Sequence, residues 1–195
     1  MRLLPANCAL AVAVVVLVAA PHCKKERHGV LNSHPGFEIS KGILYLNGEP
    51  FNGIMRTDFP QGWKETPMIN GSIHGVEHEW YNDGRMATER PYEHGKRVGV
   101  HRGWYPSGQI RFYYEYENDR QHGEAFSWHS NGKLFTYSRF VDGRPLGQKT
   151  WRENGQIYAN YVQVNRHRQM GLMGSDLCNG VKQSIPDLLQ QANGK

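Results

Sequence analysis

Apolar and polar residues alternate along short segments of this chain, and glycine-containing turns separate the segments. In "QIRFYYEYE" (109–117), Ile110, Phe112, Tyr114 and Tyr116 take every second position, and Tyr113 lies between them. Successive side chains of a β-strand point to opposite faces of a sheet. The alternation therefore predicts a strand that carries Ile110 on one face and Tyr113 on the other.

The alternating segments belong to a repeat of 24 residues. Its copies open with "GVEHEWYNDG" (75–84), "GVHRGWYPSG" (99–108) and "GEAFSWHSNG" (123–132), and a fourth copy, "GQKTWRENG" (147–155), is one residue shorter. Each copy follows the pattern of a β-hairpin, with a strand, a tight turn, a second strand and a closing turn. Because a single hairpin cannot bury its own apolar face, the copies must pack together.

These hairpins predict an all-β fold, an elongated single-layer antiparallel meander with a period of 24 residues. A tryptophan recurs in every copy and is expected to act as a structural aromatic: Trp80, Trp104, Trp128 and Trp151. The repeat domain is assigned to residues 42–163, and residues 164–195 are predicted to form a cap and a flexible tail. Residues 54–70 contain two prolines and no clear period, so they are predicted to be an insertion.

The N-terminal residues have a different composition and predict export. The run "ALAVAVVVLVAA" (9–20) follows Arg2, and twelve apolar residues suit the core of a secretory signal better than a membrane span. Residues 1–22 are therefore assigned as an export signal or membrane anchor, and residues 23–41 as a polar linker. Cys23, followed by two lysines, is a candidate lipidation site, so cleavage, lipidation and retention remain open. The expected location is the periplasm or the membrane-attached cell envelope.

The charge distribution excludes nucleic acid as an expected partner. The net charge is +5, but residues 71–163 hold 12 Lys and Arg against 11 Asp and Glu, so the surplus lies at the chain ends. A basic stripe along the repeats, which nucleic-acid binding needs, is absent from the sequence. The expected partner is instead a protein or an envelope component. Tyr113 and Tyr137 occupy equivalent positions opposite Ile110 and Leu134, and are predicted to be exposed, partner-binding aromatics.

The sequence contains few features that indicate chemistry. It has no Gly-x-Ser-x-Gly, Walker or His-Glu-x-x-His motif, so a non-enzymatic protein is predicted. The segment "HRQMGLMGSDLC" (167–178) brings together soft ligands that suit copper(I): His167, Met170, Met173 and Cys178. In the competing interpretation, the same segment caps the last repeat. No cofactor is predicted apart from this possible copper site.

The pattern Gly-x4-Trp followed by a turn glycine, an apolar strand and Asn/Asp/His-Gly resembles the MORN repeat, in its variant form found in bacterial proteins. "GVEHEWYNDGRMATERPYEHGK" (75–96) and "GEAFSWHSNGKLFTYSRFVDGR" (123–144) carry the resemblance, which extends over 42–163. It implies a protein-interaction or membrane-associated scaffold, and some members carry an antitoxin label. The predicted function is thus an exported, non-enzymatic interaction scaffold. A periplasmic copper-handling protein and an antitoxin-like partner-binding protein remain as alternatives.

Overall fold

The computed structural model describes residues 27–164 and 167–170, and all of their regular structure is β-strand. The strands in chain order are β1 (Val30–Leu31), β2 (Phe37–Ser40), β3 (Ile43–Leu46), β4 (Glu49–Pro50), β5 (Gly53–Phe59), β6 (Gly62–Ile69), β7 (Ser72–Ile73), β8 (Gly75–Tyr81), β9 (Met86–Glu93), β10 (Lys96–Arg97), β11 (Gly99–Trp104), β12 (Ile110–Glu117), β13 (Arg120–Trp128), β14 (Leu134–Val141), β15 (Arg144–Trp151), β16 (Ile157–Val164) and β17 (His167–Met170). Within these ranges no helix has the length and apolarity that a bilayer crossing requires.

Fourteen of these strands form one open sheet. Its order is β1-β5-β6-β8-β9-β11-β12-β13-β14-β15-β16-β17, with β7 beside β6 and β10 beside β9. Neighbouring strands are antiparallel, except that β1 runs parallel to β5. Strands β1 and β17 lie at opposite ends of this order, so the sheet formed by the described residues is open. The predicted all-β meander of consecutive hairpins is confirmed.

A second, three-stranded sheet, β2-β3-β4, packs on the N-terminal part of the large one. Leu44 and Phe51 from this region form a buried cluster with Met68 of β6, and Val30 and Phe37 pack against it. The linker predicted at 23–41 is wrong over its described part, because Val30 and Phe37 pack on this cluster and the backbone pairs in β1 and β2. The large sheet is therefore a single layer only beyond this end.

The insertion predicted at 54–70 is wrong as well. These residues form the β5–β6 hairpin, and β6 begins 24 residues before β9, in phase with the later repeats. The ring of Trp63 stacks on that of Trp80 at 5.5 Å between centroids. Pro67 is tolerated because β8 pairs with β6 only as far as Glu65. The hydrogen bonds between β6 and β8 therefore need no N–H group at position 67, which proline lacks. The two prolines thus led to the prediction of an insertion where the chain forms a hairpin.

Two kinds of turn connect the strands. One edge of the sheet has three-residue turns that end in a glycine with positive φ, such as Gly108 at 86° and Gly132 at 79°. The other edge has two-residue turns in which both residues have positive φ, such as Asn118 at 47° and Asp119 at 69°. Such turns match the twist of a β-hairpin, and Asn, Asp and Gly adopt them most readily.

Each regular hairpin contains a β-bulge beside its tryptophan. Gly103 pairs with Phe112, but the next residue, Trp104, pairs with Ile110, so β12 has one extra residue here. Equivalent register shifts occur beside the other three repeat tryptophans. One extra residue reverses the alternation of side chains, so Ile110 shares a face with Tyr113 and not with Phe112. The predicted placement of Ile110 and Tyr113 on opposite faces is therefore wrong.

The large sheet consequently has two different faces. The face that carries Trp80, Trp104 and Trp128, here called the tryptophan face, holds the main core. Its central cluster consists of Ile110, Tyr113, Phe126, Trp128 and Tyr137, and Trp104, Leu134 and Trp151 pack around it partly buried. Cross-strand aromatic neighbours in this cluster cover one another, which is how a single layer buries large rings. The opposite face carries Tyr92, His101, Phe112, Tyr114 and Tyr116 and is called the groove face.

Candidate binding groove

A groove with a volume of about 590 Å³, here called the aromatic groove, lies on the groove face. Its lining is mainly aromatic, and the basic residues in it are three arginines and one histidine. None of the lining residues is Asp or Glu. The lining residues are Arg90, Tyr92, Arg97, His101, Tyr105, Arg111, Phe112, Tyr114, Tyr116, Ser127 and Phe135, and the groove also borders Trp128, which belongs to the core of the tryptophan face.

Strand β12 supplies the central row of the groove. Phe112 and Tyr114 stack with ring centroids 4.9 Å apart and planes only 14° from parallel. The facing residue, Gly103, makes room for this pair, because a methyl group at Gly103 would overlap the ring of Phe112. The guanidinium of Arg111, at the bulge, lies 5.3 Å from the centre of the Phe112 ring. A cation over an aromatic face is attracted by the ring quadrupole.

His101 lies at the bottom of the groove beside this row, and its ring is uncharged. It is buried, and its ring centroid lies 5.4 Å from that of Tyr92 and 4.5 Å from that of Tyr116. Its Nε2 is 3.0 Å from the carbonyl oxygen of Pro91, which can only accept, so Nε2 carries the proton and donates. Burial lowers the pKa of His101, so the ring is uncharged at neutral pH.

Two of the three groove arginines already have carboxylate partners. The Nε of Arg97 lies 2.6 Å from Oδ1 of Asp119, and its guanidinium lies 4.6 Å from the centre of the Tyr116 ring. Arg90 lies 3.4 Å from the buried carboxylate of Glu77, which is also 3.4 Å from Nζ of Lys64. These contacts hold Arg97 and Arg90 in place and give each a carboxylate partner, although Glu77 shares its single charge between Arg90 and Lys64.

Arg111 differs from these two arginines. Among the described residues, no carboxylate lies within ion-pair distance of its guanidinium. The hydroxyls of Tyr92 and Tyr114 also have no hydrogen-bond partner within the described part of the chain. Burial raises the pKa of both tyrosines, so both hydroxyls stay protonated and can donate. The aromatic groove therefore presents one arginine without a carboxylate partner and two free donors between aromatic surfaces.

The two tyrosines predicted to bind a partner lie elsewhere. Tyr113 and Tyr137 are only 7% and 1% exposed and belong to the core of the tryptophan face. The Tyr113 hydroxyl donates to Glu115 at 2.8 Å, and the Tyr137 hydroxyl donates to Glu124 at 3.1 Å. The bulge beside each tryptophan turns these side chains inward, so the prediction that they form an exposed surface is wrong.

The proposed copper ligands are not brought together where they are described. His167 and Met170 lie on β17, where His167 pairs with Val164 and Met170 with Tyr161. Residues three apart in a strand point to opposite faces, so these two side chains cannot meet at one ion. Met173, Cys178 and Cys23 lie outside the described residues. Within the described ranges, no group of three or more His, Cys, Asp or Glu could hold a metal ion.

Sequence reasoning missed the groove residues, although a signal for them exists. For two of them the signal is a position at which one copy departs from the others: His101 corresponds to Glu77 and Ala125, and Arg111 corresponds to Ala87 and Phe135. The repeated tryptophans and glycines attract attention because they build every copy. The groove combines these two residues with repeated ones, since Tyr92 and Tyr116 occupy equivalent positions in consecutive copies.

Comparison with known proteins identifies the repeats. Residues 97–118 and 121–142 each match the family model described as MORN repeat variant. The resemblance noted from the sequence is therefore confirmed at these two consecutive copies, which contribute most of the aromatic groove. Repeats of this kind indicate a protein-interaction role. No curated protein matches the chain.

Proposed function

We propose that this MORN-repeat chain is an exported, non-enzymatic interaction protein, and that its partner binds in the aromatic groove. The main support for this proposal is the composition of the groove, which has stacked rings, two free tyrosine hydroxyls and an unpaired guanidinium on a regular repeat sheet. Aromatic residues and arginine are the residue types enriched at protein interfaces. The Lys64–Glu77–Arg90 ion cluster and the Arg97–Asp119 pair would hold the groove in shape before binding.

The protonation states in the groove support a binding role over catalysis. General acid–base catalysis is most effective with a group whose pKa lies near the working pH. The proton of His101 is held by the Pro91 carbonyl, and burial moves the pKa of the ring downward. The pKa values of Tyr92 and Tyr114 are moved upward. Each of the three groups is therefore kept in its neutral form, which favours hydrogen bonding to a partner.

Export is proposed from the sequence of the first 22 residues. A basic start, a run of twelve apolar residues and closing small residues occur in the order of a secretory signal. The proposed location is the periplasm or the envelope, and Cys23 is the proposed attachment point if the chain is lipidated. Cell fractionation with mass spectrometry of the N-terminus tests this. An unprocessed chain in the cytoplasm would contradict export.

The interaction is tested by capture from solubilised envelope with the immobilised full chain. The groove variant is Tyr114→Ala, and the matched controls are Arg144→Ala, which changes an exposed residue away from the groove, and Tyr158→Ala, which removes an exposed tyrosine near the far edge. We expect a protein that is captured by the wild type and by both controls but not by Tyr114→Ala. Equal capture by all four chains would show that the groove is not the binding surface.

A further inference from the structure

We infer that the partner segment bound by the aromatic groove is an acidic peptide in which a carboxylate side chain neighbours an aromatic or aliphatic one. This inference rests on the proposed interaction function and gives the chemistry of the partner. The first reason is charge: the groove lining holds three arginines and no carboxylate. Asp119 and Glu77 pair with two of the arginines from outside the lining, which leaves Arg111 without a carboxylate partner.

Arg111 is placed to hold a carboxylate. Its guanidinium rests on the ring of Phe112, which restricts it without using its hydrogen-bond donors. A guanidinium has five donors in a planar fork and pairs with a carboxylate through two parallel hydrogen bonds. The nearby Tyr114 hydroxyl has no partner among the described residues and can add a third donor. A carboxylate bound here would be recognised by donors only.

The rest of the row requires an apolar neighbour. Along β12, Arg111 is followed on the groove face by Phe112, Tyr114 and Tyr116. At the strand rise of about 3.3 Å per residue, Arg111 and Tyr116 are roughly 17 Å apart along the strand. About five residues of an extended peptide fit this length. A segment anchored by its carboxylate on Arg111 would therefore place its next side chains along the edges of the Tyr114 and Tyr116 rings.

The same observations disfavour a nucleic acid as the occupant. Binding a polyanionic backbone requires several phosphate contacts, and the described groove offers one arginine without a carboxylate partner. Bases also need free aromatic faces to stack upon. Here Phe112 is covered by Tyr114 on one side and approached by Arg111, and Tyr116 is covered by Arg97. A peptide side chain can instead pack against ring edges and bond to the Tyr92 and Tyr114 hydroxyls, which have no partner among the described residues.

Selection from a displayed library of random peptides about twelve residues long tests the inference. The full chain is used as wild type, as Arg111→Gln, which keeps the length but removes the charge, and as the control Arg144→Gln. We expect peptides with Asp or Glu beside an aromatic or aliphatic residue from the wild type and from Arg144→Gln. This acidic preference should be lost with Arg111→Gln. Enrichment of neutral or basic peptides, no enrichment, or an unchanged preference with Arg111→Gln would overturn the inference.

The best-enriched peptide is then measured by fluorescence anisotropy beside its Asn/Gln counterpart and a single-stranded RNA of similar length. We expect the neutral peptide, and the Arg111→Gln protein with the acidic peptide, each to bind about tenfold more weakly, the usual effect of losing one charge-assisted pair. Tighter binding of the RNA would overturn the inference. If Tyr114→Ala abolishes envelope capture but Arg111→Gln does not, the interaction function stands and the acidic partner is wrong. If neither variant changes capture, the interaction function itself is wrong.

Discussion

Replacing Phe126 by alanine tests whether the tryptophan face is the structural core. Phe126 has no exposed surface, and its ring centroid lies 4.8 Å from that of Tyr137, 5.8 Å from Trp128 and 6.2 Å from Tyr113. Deleting a buried phenylalanine destabilises a protein by about 3–5 kcal/mol. Because each aromatic neighbour adds about 0.5–1.5 kcal/mol beyond burial, we expect the upper part of that range. The melting temperature should fall by roughly 10–15 °C.

The assay is urea unfolding followed by tryptophan fluorescence and by circular dichroism, because a repeat sheet can unfold in segments that the two signals report differently. Phe135→Ala is the matched control. Phe135 is half-buried on the groove face and its ring contacts His129 at 4.7 Å, so we expect a loss of about 1–2 kcal/mol. An equal loss in the two variants would refute the assignment of the core to the tryptophan face.

Three further predictions concern a repeat tryptophan, a turn and a buried histidine. Trp104→Ala should destabilise by about 2–3 kcal/mol, less than Phe126→Ala, because Trp104 is only partly buried; a larger loss in the same urea assay would contradict this. Gly108→Ala should destabilise by about 1–2 kcal/mol through its positive φ alone, since the added methyl group meets no atom, and Gly108→Asn should lose less. Burial holds the pKa of His101 in the folded protein below 6.5, so the unfolded chain binds a proton at this histidine more readily than the folded chain does. The neutral ring therefore contributes unfolding free energy above about pH 6.5, and this contribution is lost as the pH falls toward the pKa of the folded state. The loss of unfolding free energy from about pH 7 to about pH 5 should therefore be smaller in His101→Gln than in the wild type, and an equal loss would contradict the assignment.

The sequence by itself determined the β-class, the period and the turns, because these depend on local chemistry. Alternation specifies a strand within a few residues, and a glycine or asparagine with positive φ specifies the turn that follows. The spacing of the repeated tryptophans, and of the glycine at the end of each three-residue turn, gives the period of the repeat directly. The same local signals fail at Pro67, because whether a proline is tolerated depends on where the neighbouring strand stops pairing, and β8 leaves β6 at Glu65.

Only the tertiary structure decided which side chains are inside. The bulge at Trp104 adds one residue to β12, and one residue is enough to move Tyr113 from the predicted outer surface to the core. No local pattern reports this, because a bulge is a mismatch between two hydrogen-bonded strands and is defined only by their register. The aromatic groove follows from the same register. Arg111 and His101 are ten residues apart in the chain and come to line the same groove only when β11 and β12 pair in this way.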